Sequence, residues 1–286
     1  MIKQIAIVGG DLRIVKLSEM LLAEGAEVYT YALEEAETED IQKCETLEEL
    51  VDVTDIILGP IPFSSNGTTI NTPFSTKTVN IEELFSLCEG KTVIAGGFRQ
   101  EACALAEHHN VKLIDLLKRE ELSVLNAVST AEGAIKIAIE ETPKNLHGSN
   151  VLVLGFGRIG KILSHMLQGL GAKVACEARR HSDLAWIKAY GYDPVPLPEL
   201  NENLERFDVI INTIPYMILD SDRLSLVRKD TLVMDLASNP GGVDRAAAKE
   251  QNINFVWALS LPGKIAPVTS AEFIKETLYN VVKEIQ

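Results

Sequence analysis

The chain has 286 residues, a formal net charge of −14 and a hydrophobic content of 46%. That length suits two α/β domains of ordinary size, each with its own core. The acidity argues against a nucleic-acid surface and requires local positive charge for any anionic ligand, and no apolar run reads as long enough to span a bilayer.

The chain enters an apolar strand, Ile5 to Val8, almost at once, which predicts no secretory leader. Cys44, Cys88, Cys103 and Cys176 are widely separated and lack metal-ligand spacing. The expectation is reduced thiols, no metal and a cytoplasmic location. Gly9-Gly10-Asp11-Leu12-Arg13 closes the strand, and a helix follows that carries Ile14, Leu17, Met20 and Leu21. Strands near Glu27–Tyr31, Asp55–Leu58, Thr92–Ala95 and Val111–Ile114 alternate with helical segments near 80–88 and 99–108. Such alternation predicts a mainly parallel sheet covered by helices on both faces. Gly59 to Val79 is rich in Pro, Ser, Thr, Asn and Gly and reads as a long loop at a strand's carboxyl end, where function concentrates. From about Lys118 to Glu141 the pattern is one extended helix, ended by Pro143 and interrupted by Ser129-Thr130-Ala131-Glu132-Gly133.

The second half opens with an apolar strand, Val151 to Leu154, followed by Gly155-Phe156-Gly157-Arg158-Ile159-Gly160. After it Ile159, Leu163, Met166, Leu167 and Leu170 recur at helical spacing. Strand, glycine turn and helix form a dinucleotide-binding fingerprint. Gly155 permits the turn, Gly157 admits a pyrophosphate and Gly160 allows close helix–strand packing, while the free N–H groups at the helix start face the phosphates. The next strand runs to Glu177, and its end is where an NAD site places an acid against the ribose. Here the position holds Ala178, followed by Arg179 and Arg180. A small residue leaves room for a 2′-phosphate and guanidinium groups can clasp it, so the cofactor read from the sequence is NADP. Glu177, one residue earlier, is expected to point to the other side of the strand. Further strands are expected near 208–212, 231–235 and 254–257. Thr269 with Glu272 reads as a capping box for a last helix that buries Ile274, Leu278, Val281, Val282 and Ile285.

The predicted organisation is a substrate domain of flavodoxin or Rossmann type over 1–118, a connecting helix over 119–143 and an NADP-binding Rossmann domain over 144–267. A C-terminal helix over 268–286 returns to the first domain. Both domains are α/β with doubly wound parallel sheets. Ligands of such sheets sit outside the carboxyl ends of the strands. Arg13 and Arg99, the latter in Gly96-Gly97-Phe98-Arg99, lie at two strand ends of one domain and suit a ligand with two carboxylates. Thr130 falls where a domain cleft is expected. Asn212-Thr213-Ile214-Pro215 and the turn from Asp235 through Ala237 and Ser238 to Gly242 follow later strands and suit the ribose and nicotinamide. Lys264, in Leu261-Pro262-Gly263-Lys264, could present a cation. Each has a plainer alternative: a capped turn with an exposed arginine, a helix contact through small side chains, a surface lysine. His108, His109, His147, His165 and His181 all lie away from the later strand-end turns, which disfavours alcohol oxidation by a His–carboxylate couple.

Taken together, these strings resemble the A-chain family of dipicolinate synthases of spore-forming bacteria, essentially end to end. The carriers are Gly9-Gly10-Asp11 with Arg13, Gly96-Gly97-Phe98-Arg99, Thr130-Ala131-Glu132-Gly133-Ala134-Ile135, Gly155 to Gly160, and Asp235-Leu236-Ala237-Ser238 with Pro240-Gly241-Gly242. More distantly, the segment from Leu261 to Thr269 looks like that of methylenetetrahydrofolate dehydrogenases. The layout is similar to that of formate/glycerate-type dehydrogenases. The resemblance implies NADP-dependent oxidation of dihydrodipicolinate, or its hydrated precursor, to dipicolinate during sporulation. It also implies a homo-oligomer whose partner is a flavoprotein-like B subunit. In that reading Arg13 and Arg99 hold the substrate carboxylates, Thr130, Ser238 and Lys264 surround the ring and nicotinamide, and Asp11, Glu132 or water takes the proton. Two rivals stay open: another NADP dehydrogenase of shikimate or methylenetetrahydrofolate type, and a non-catalytic NADP-binding subunit of a flavoprotein complex.

Overall fold

The computed structural model describes residues 2–34 and 41–285. The chain divides into two compact units, Met1–Leu125 with Ala266–Gln286, and Asn126–Ile265. The first contains β1 (Gln4–Val8), α1 (Leu12–Ala23), β2 (Glu27–Tyr31), β3 (Gln42–Lys43), α2 (Leu47–Asp52), β4 (Ile56–Leu58), α3 (Ile81–Leu87), β5 (Thr92–Ala95), α4 (Gln100–His108) and β6 (Lys112–Asp115). Its sheet is parallel with the order β3-β2-β1-β4-β5-β6. Ile5 to Val8 are all buried because each face of β1 is covered. Ile5 and Ile7 pack with Ile14, Leu17 and Leu21 of α1, whereas Ala6 and Val8 share a core with Leu50 of α2 and Leu84 of α3.

Helix α5 (Glu120–Glu141) is continuous through Ser129–Gly133, where the sequence suggested an interruption. The Thr130 hydroxyl donates to the carbonyl of Asn126 one turn earlier, so its polar group is satisfied inside the helix. Only Glu132 and Lys136 carry charge between the acidic ends of α5, and by length and composition it could cross a membrane, contrary to the expectation of no such run. Ala131, Ala134 and Ala138 of this helix lie in the core of the second unit. A core helix meets the same length and composition test.

The second unit continues with β7 (Asn150–Leu154), α6 (Arg158–Gly169), β8 (Lys173–Ala178), α7 (His181–Ala189), β9 (Asp193–Pro196), α8 (Leu200–Asn203), β10 (Val209–Asn212), α9 (Ser221–Ser225), β11 (Leu232–Asp235), α10 (Arg245–Glu250), β12 (Asn254–Trp257) and α11 (Leu261–Ile265). Its sheet order is β12-β11-β10-β7-β8-β9, the permutation of the first sheet repeated. The edge strands β3 and β9 were not foreseen. β3 has two residues, and β9 contains Pro194 and Pro196, which only an edge tolerates.

Leu261-Pro262-Gly263-Lys264 forms most of the short helix α11 instead of a turn. The last helix, α12 (Pro267–Ile285), starts before the expected Thr269 cap. Ser270 N–H donates to the Ala266 carbonyl, which makes Pro267 the first helical residue and places Thr269 inside the first turn. Ala271, Ile274, Leu278 and Val281 of α12 pack with α1. Arg119 binds the Glu284 carboxylate through two hydrogen bonds of 2.7 Å, and Lys275 pairs with Glu24.

Candidate functional site

The three glycines of the turn after β7 differ in what surrounds them. Gly155 adopts φ +90°, and a Cβ there would sit 2.7 Å from Thr213 Oγ1. At Gly160 it would sit 2.1 Å from the Gly155 carbonyl oxygen, so the helix can approach the strand only because the residue is glycine. At Gly157 a Cβ would meet nothing within 4 Å. Gly157 is also the N-cap of α6 and provides no side-chain hydrogen bond to the helix start. Open space in front of uncapped N–H groups is the arrangement an anionic ligand requires.

In front of this turn lies a cavity of about 460 Å³, walled by Gly155, Phe156 and Gly157, by Glu177 to Arg180, and by Asp183 and Ile214. The two arginines differ. Arg180 Nε donates to Asp183 Oδ2 at 2.8 Å. Arg179 is exposed and has no hydrogen-bond or ion-pair partner among the described residues. Ala178 turns into the core beside Val174 and Cys176. Burial pushes the Cys176 thiol up to about 12, and its Sγ shares a hydrogen bond with Ser164 Oγ at 3.1 Å.

Glu177 faces away from Ala178, as alternation along the strand requires, yet it lines the same cavity. It is 1% exposed, and its Oε1 has no hydrogen-bond partner. Burial holds its carboxyl above the usual carboxylate range, against the lowering pull of the Gly155 amide and the Arg179 and Arg223 guanidinium groups. Its presence at the cavity was not read from the sequence.

Other expected cofactor residues build the walls behind the cavity. Arg158 and Ile159 open α6. Asn212 is fully buried, and its Nδ2 donates to the Ile214 carbonyl at 2.9 Å and to Asp235 Oδ1 at 2.8 Å. Thr213 Oγ1 donates to the Leu154 carbonyl at 2.8 Å. The Asp235 carboxylate also accepts from Ala237 N at 3.0 Å, Gly242 N at 2.8 Å and Val243 N at 3.3 Å. Asp235 therefore sets the loop that carries Ser238, a role the sequence reading missed. Its signal was an acid at a strand end followed seven residues later by a glycine whose amide returns to it. The Ala237 carbonyl accepts from Trp257 Nε1 at 3.1 Å. Pro215, Ser238 and Lys264 are exposed. Asn212, Thr213, Pro215, Ala237, Ser238 and Lys264 do not line the 460 Å³ cavity.

In the first unit, Asp11 caps α1 by accepting from Arg13 N at 3.0 Å. The Arg13 side chain folds back on the same carboxylate, with Nε at 3.0 Å and Nη2 at 2.7 Å, and Nη2 also meets the Ile61 carbonyl. Arg13 is consequently only 8% exposed. Arg99 is exposed at the start of α4, and its Nη2 donates to the Ser65 carbonyl at 2.6 Å. The long loop after β4 thus receives both arginines. It is fixed by Gly10 N to the Asn71 carbonyl at 3.0 Å and by Phe63 N to the Gly96 carbonyl at 2.6 Å. Within it the Asn66 Oδ1 accepts from Thr68 N and Thr69 N at 3.0 Å. β1, β4 and β5 are neighbours in the sheet, so Asp11, Arg13, this loop and Arg99 occupy adjacent strand ends.

A family profile described as the N-terminal domain of the dipicolinate synthase A subunit matches residues 4–117. Another, described as the NAD binding domain of D-isomer specific 2-hydroxyacid dehydrogenases, matches residues 125–247. The chain is 32% identical to the dipicolinate synthase A subunit of Bacillus subtilis (strain 168), over 99% of its own length and 97% of the relative's. The crystal structure of the dipicolinate synthase A subunit from Bacillus halodurans superposes with a TM-score of 0.90 at 30% identity, covering 98% of this chain and 97% of that one. The A chain from Bacillus subtilis gives the same TM-score of 0.90 at 32% identity, covering 99% and 96%. A transhydrogenase from Sinorhizobium meliloti shares the fold, with a TM-score of 0.69 at 17% identity over 98% of this chain and 94% of that one.

Proposed function

Because the chain belongs to the family of dipicolinate synthase A subunits and carries a nicotinamide-binding dehydrogenase domain, we propose that this oxidoreductase converts dihydrodipicolinate to dipicolinate with NADP. The observation that carries the cofactor half is Arg179, unpartnered at a cavity whose strand-end position holds Ala178 where an acid would repel a 2′-phosphate. The substrate half rests on similarity along the whole chain to proteins bearing that name.

In this reading the α6 amides face the pyrophosphate, Arg179 clasps the 2′-phosphate and Arg180 supports it from its pair with Asp183. Asn212 and Asp235 hold the turns at which Thr213, Ile214, Pro215, Ala237 and Ser238 approach the nicotinamide half. A nicotinamide held there would supply the acceptor for the hydride that leaves the partly reduced pyridine ring. Aromatisation supplies much of the driving force, so the protein chiefly orients the ring and excludes water. Arg99 takes one carboxylate and Arg13 the other, the Asp11–Ile61 contacts fixing the direction of its guanidinium. Asp11, Glu132 or water receives the ring proton, and Thr130, Ser238 and Lys264 contact the ring or the nicotinamide. In the same reading the enzyme is cytoplasmic, associates with itself and acts with a flavoprotein-like B subunit during spore formation.

The test is an assay of the purified chain alone with dihydrodipicolinate and NADP, followed by the absorbance of reduced nicotinamide. Turnover is expected, and Arg99→Ala should raise KM about tenfold or more while leaving dinucleotide affinity unchanged. Turnover that requires an added flavoprotein would instead make the chain a nucleotide-binding subunit. An unchanged KM would remove Arg99 from the site.

A further inference from the structure

Helix α5 turns one side to the core of the second unit through Ala131, Ala134 and Ala138. That side accounts for only part of its apolar character, since 39% of its most apolar stretch of 18 residues is buried. Another side joins α6 in a groove of about 530 Å³ whose apolar wall is Ile135, Ile139, Met166, Gly169 and Leu170, all within the second unit. Ile139 is 58% exposed and Leu170 42%. Met166 continues the groove into a further depression lined by Lys161, His165, Tyr190 and Tyr192. Beside it the exposed rings of Trp186 and Tyr190 stack with centroids 5.6 Å apart. A contiguous apolar face of this kind is costly to leave in water and marks a surface that another molecule covers.

The charges on this face indicate what covers it. A chain of formal charge −14 repels its own copies across ordinary surface, but here Lys136 and Lys161 match Glu132 and Glu140 in number. Glu132, Lys136 and Glu140 follow one another at four-residue spacing along one side of α5, alternating in sign. Such a row complements its own two-fold image. With the axis between Lys136 and Glu140, each lysine meets Glu140 of the other copy and the Ile135 and Ile139 side chains of the two helices interdigitate. Glu132 then lies towards the end at which Lys144 follows the helix. Within one chain Lys136 Nζ stands 3.8 Å from Glu140 Oε1, an exposed pair that holds neither side chain tightly. An anionic membrane surface would instead require an excess of bases around the apolar strip, which the two glutamates deny it. We propose that this face of α5 and α6 is where two copies of the chain pair, antiparallel along α5 about a two-fold axis. This rests on the self-association in the reading above and gives it a surface.

Sedimentation velocity of the purified full chain over a range of concentrations tests this. Wild type should form dimers. Ile139→Arg should weaken the dimer about a hundredfold, because each interface would bury two unpaired guanidinium groups. Lys136→Glu sets acid against acid and Glu140→Lys sets base against base, so each alone should weaken pairing about tenfold. Mixed in equal amounts, these two variants should pair to within about threefold of wild type, since every charge then meets its opposite across the axis. The three side chains are exposed in the single chain, so the circular dichroism of each variant should match wild type. A wild type that stays monomeric up to about 100 μM overturns the proposal, and if it then floats with phosphatidylglycerol vesicles the face belongs to a membrane. Dimers indifferent to Ile139→Arg overturn it as well, as does a mixture that pairs no better than the separate variants. The oxidoreductase reading fails separately: dimers formed in this way that neither bind dinucleotide nor turn over dihydrodipicolinate leave the pairing intact.

Discussion

The two sheets repeat one strand permutation, yet their first turns are built in opposite ways. In the first unit the space after β1 is filled by the protein itself. A Cβ on Gly9 would lie 2.8 Å from the Asn71 carbonyl oxygen, one on Gly10 would lie 2.6 Å from Ile14 Cβ, and Asp11 caps α1 while holding Arg13. In the second unit the corresponding cap, Gly157, faces open space and offers no side chain to the helix start. Identical topology therefore does not make two identical sites. Whether the turn satisfies its own helix or leaves the amides unclaimed decides which half accepts a phosphate.

Glycine substitutions sharpen this contrast. The largest effect is expected at Gly160, where a Cβ would strike backbone at 2.1 Å. Gly160→Ala should cost about 3 kcal/mol in denaturant unfolding and abolish dinucleotide binding; stability within about 0.5 kcal/mol of wild type would contradict the packing account. Gly10→Ala, at φ +124° against Ile14, should cost roughly 1–3 kcal/mol and leave dinucleotide affinity unchanged. A weakened Kd in that variant would break the comparison, since it would make the first turn a nucleotide contact too. The mildest change in stability is expected for Gly157→Ala, with unfolding within about 0.5 kcal/mol of wild type and a dinucleotide Kd raised about tenfold. An unaltered Kd would mean that the open space at Gly157 is not where the pyrophosphate lies.

Much of the architecture was legible because parallel strands buried on both faces read as uninterrupted apolar runs. Ile5–Val8, Val151–Leu154 and Leu232–Met234 are of that kind, and the glycine fingerprint marked the first turn of the second unit. What escaped followed from tertiary context. Edge position made β9 possible despite its prolines. Thr130 suggested a break in α5, but its hydroxyl bonds within the helix, and Gly133 serves the close approach of Leu261 and Ile265, 3.1 and 3.0 Å from where its Cβ would be. Thr269 lost its capping role because the helix starts two residues earlier, at Pro267. In the candidate site, Arg179 and Arg180 stood out as a pair, but only the structure distinguishes the unpartnered one from the one held by Asp183. Alternation places Glu177 on the far side of its strand. That is sound for the Cα–Cβ direction, yet the residue, beside the glycine turn, still forms part of the cavity wall. Asp235 and Asn212 read as members of turns, whereas burial shows them to be what holds those turns.

The account depends most on a cationic clasp for the 2′-phosphate at the end of β8, and one titration addresses it. The Kd values of NADP and NAD should be measured by calorimetry for the purified chain and for Arg179→Ala and Arg180→Ala. Wild type should prefer NADP. Arg179→Ala should lose about ten- to a hundredfold in NADP affinity with NAD unchanged, and Arg180→Ala, already engaged with Asp183 at the surface, should lose only about two- to threefold. A wild-type preference for NAD, or an NADP preference that survives Arg179→Ala, would contradict the account.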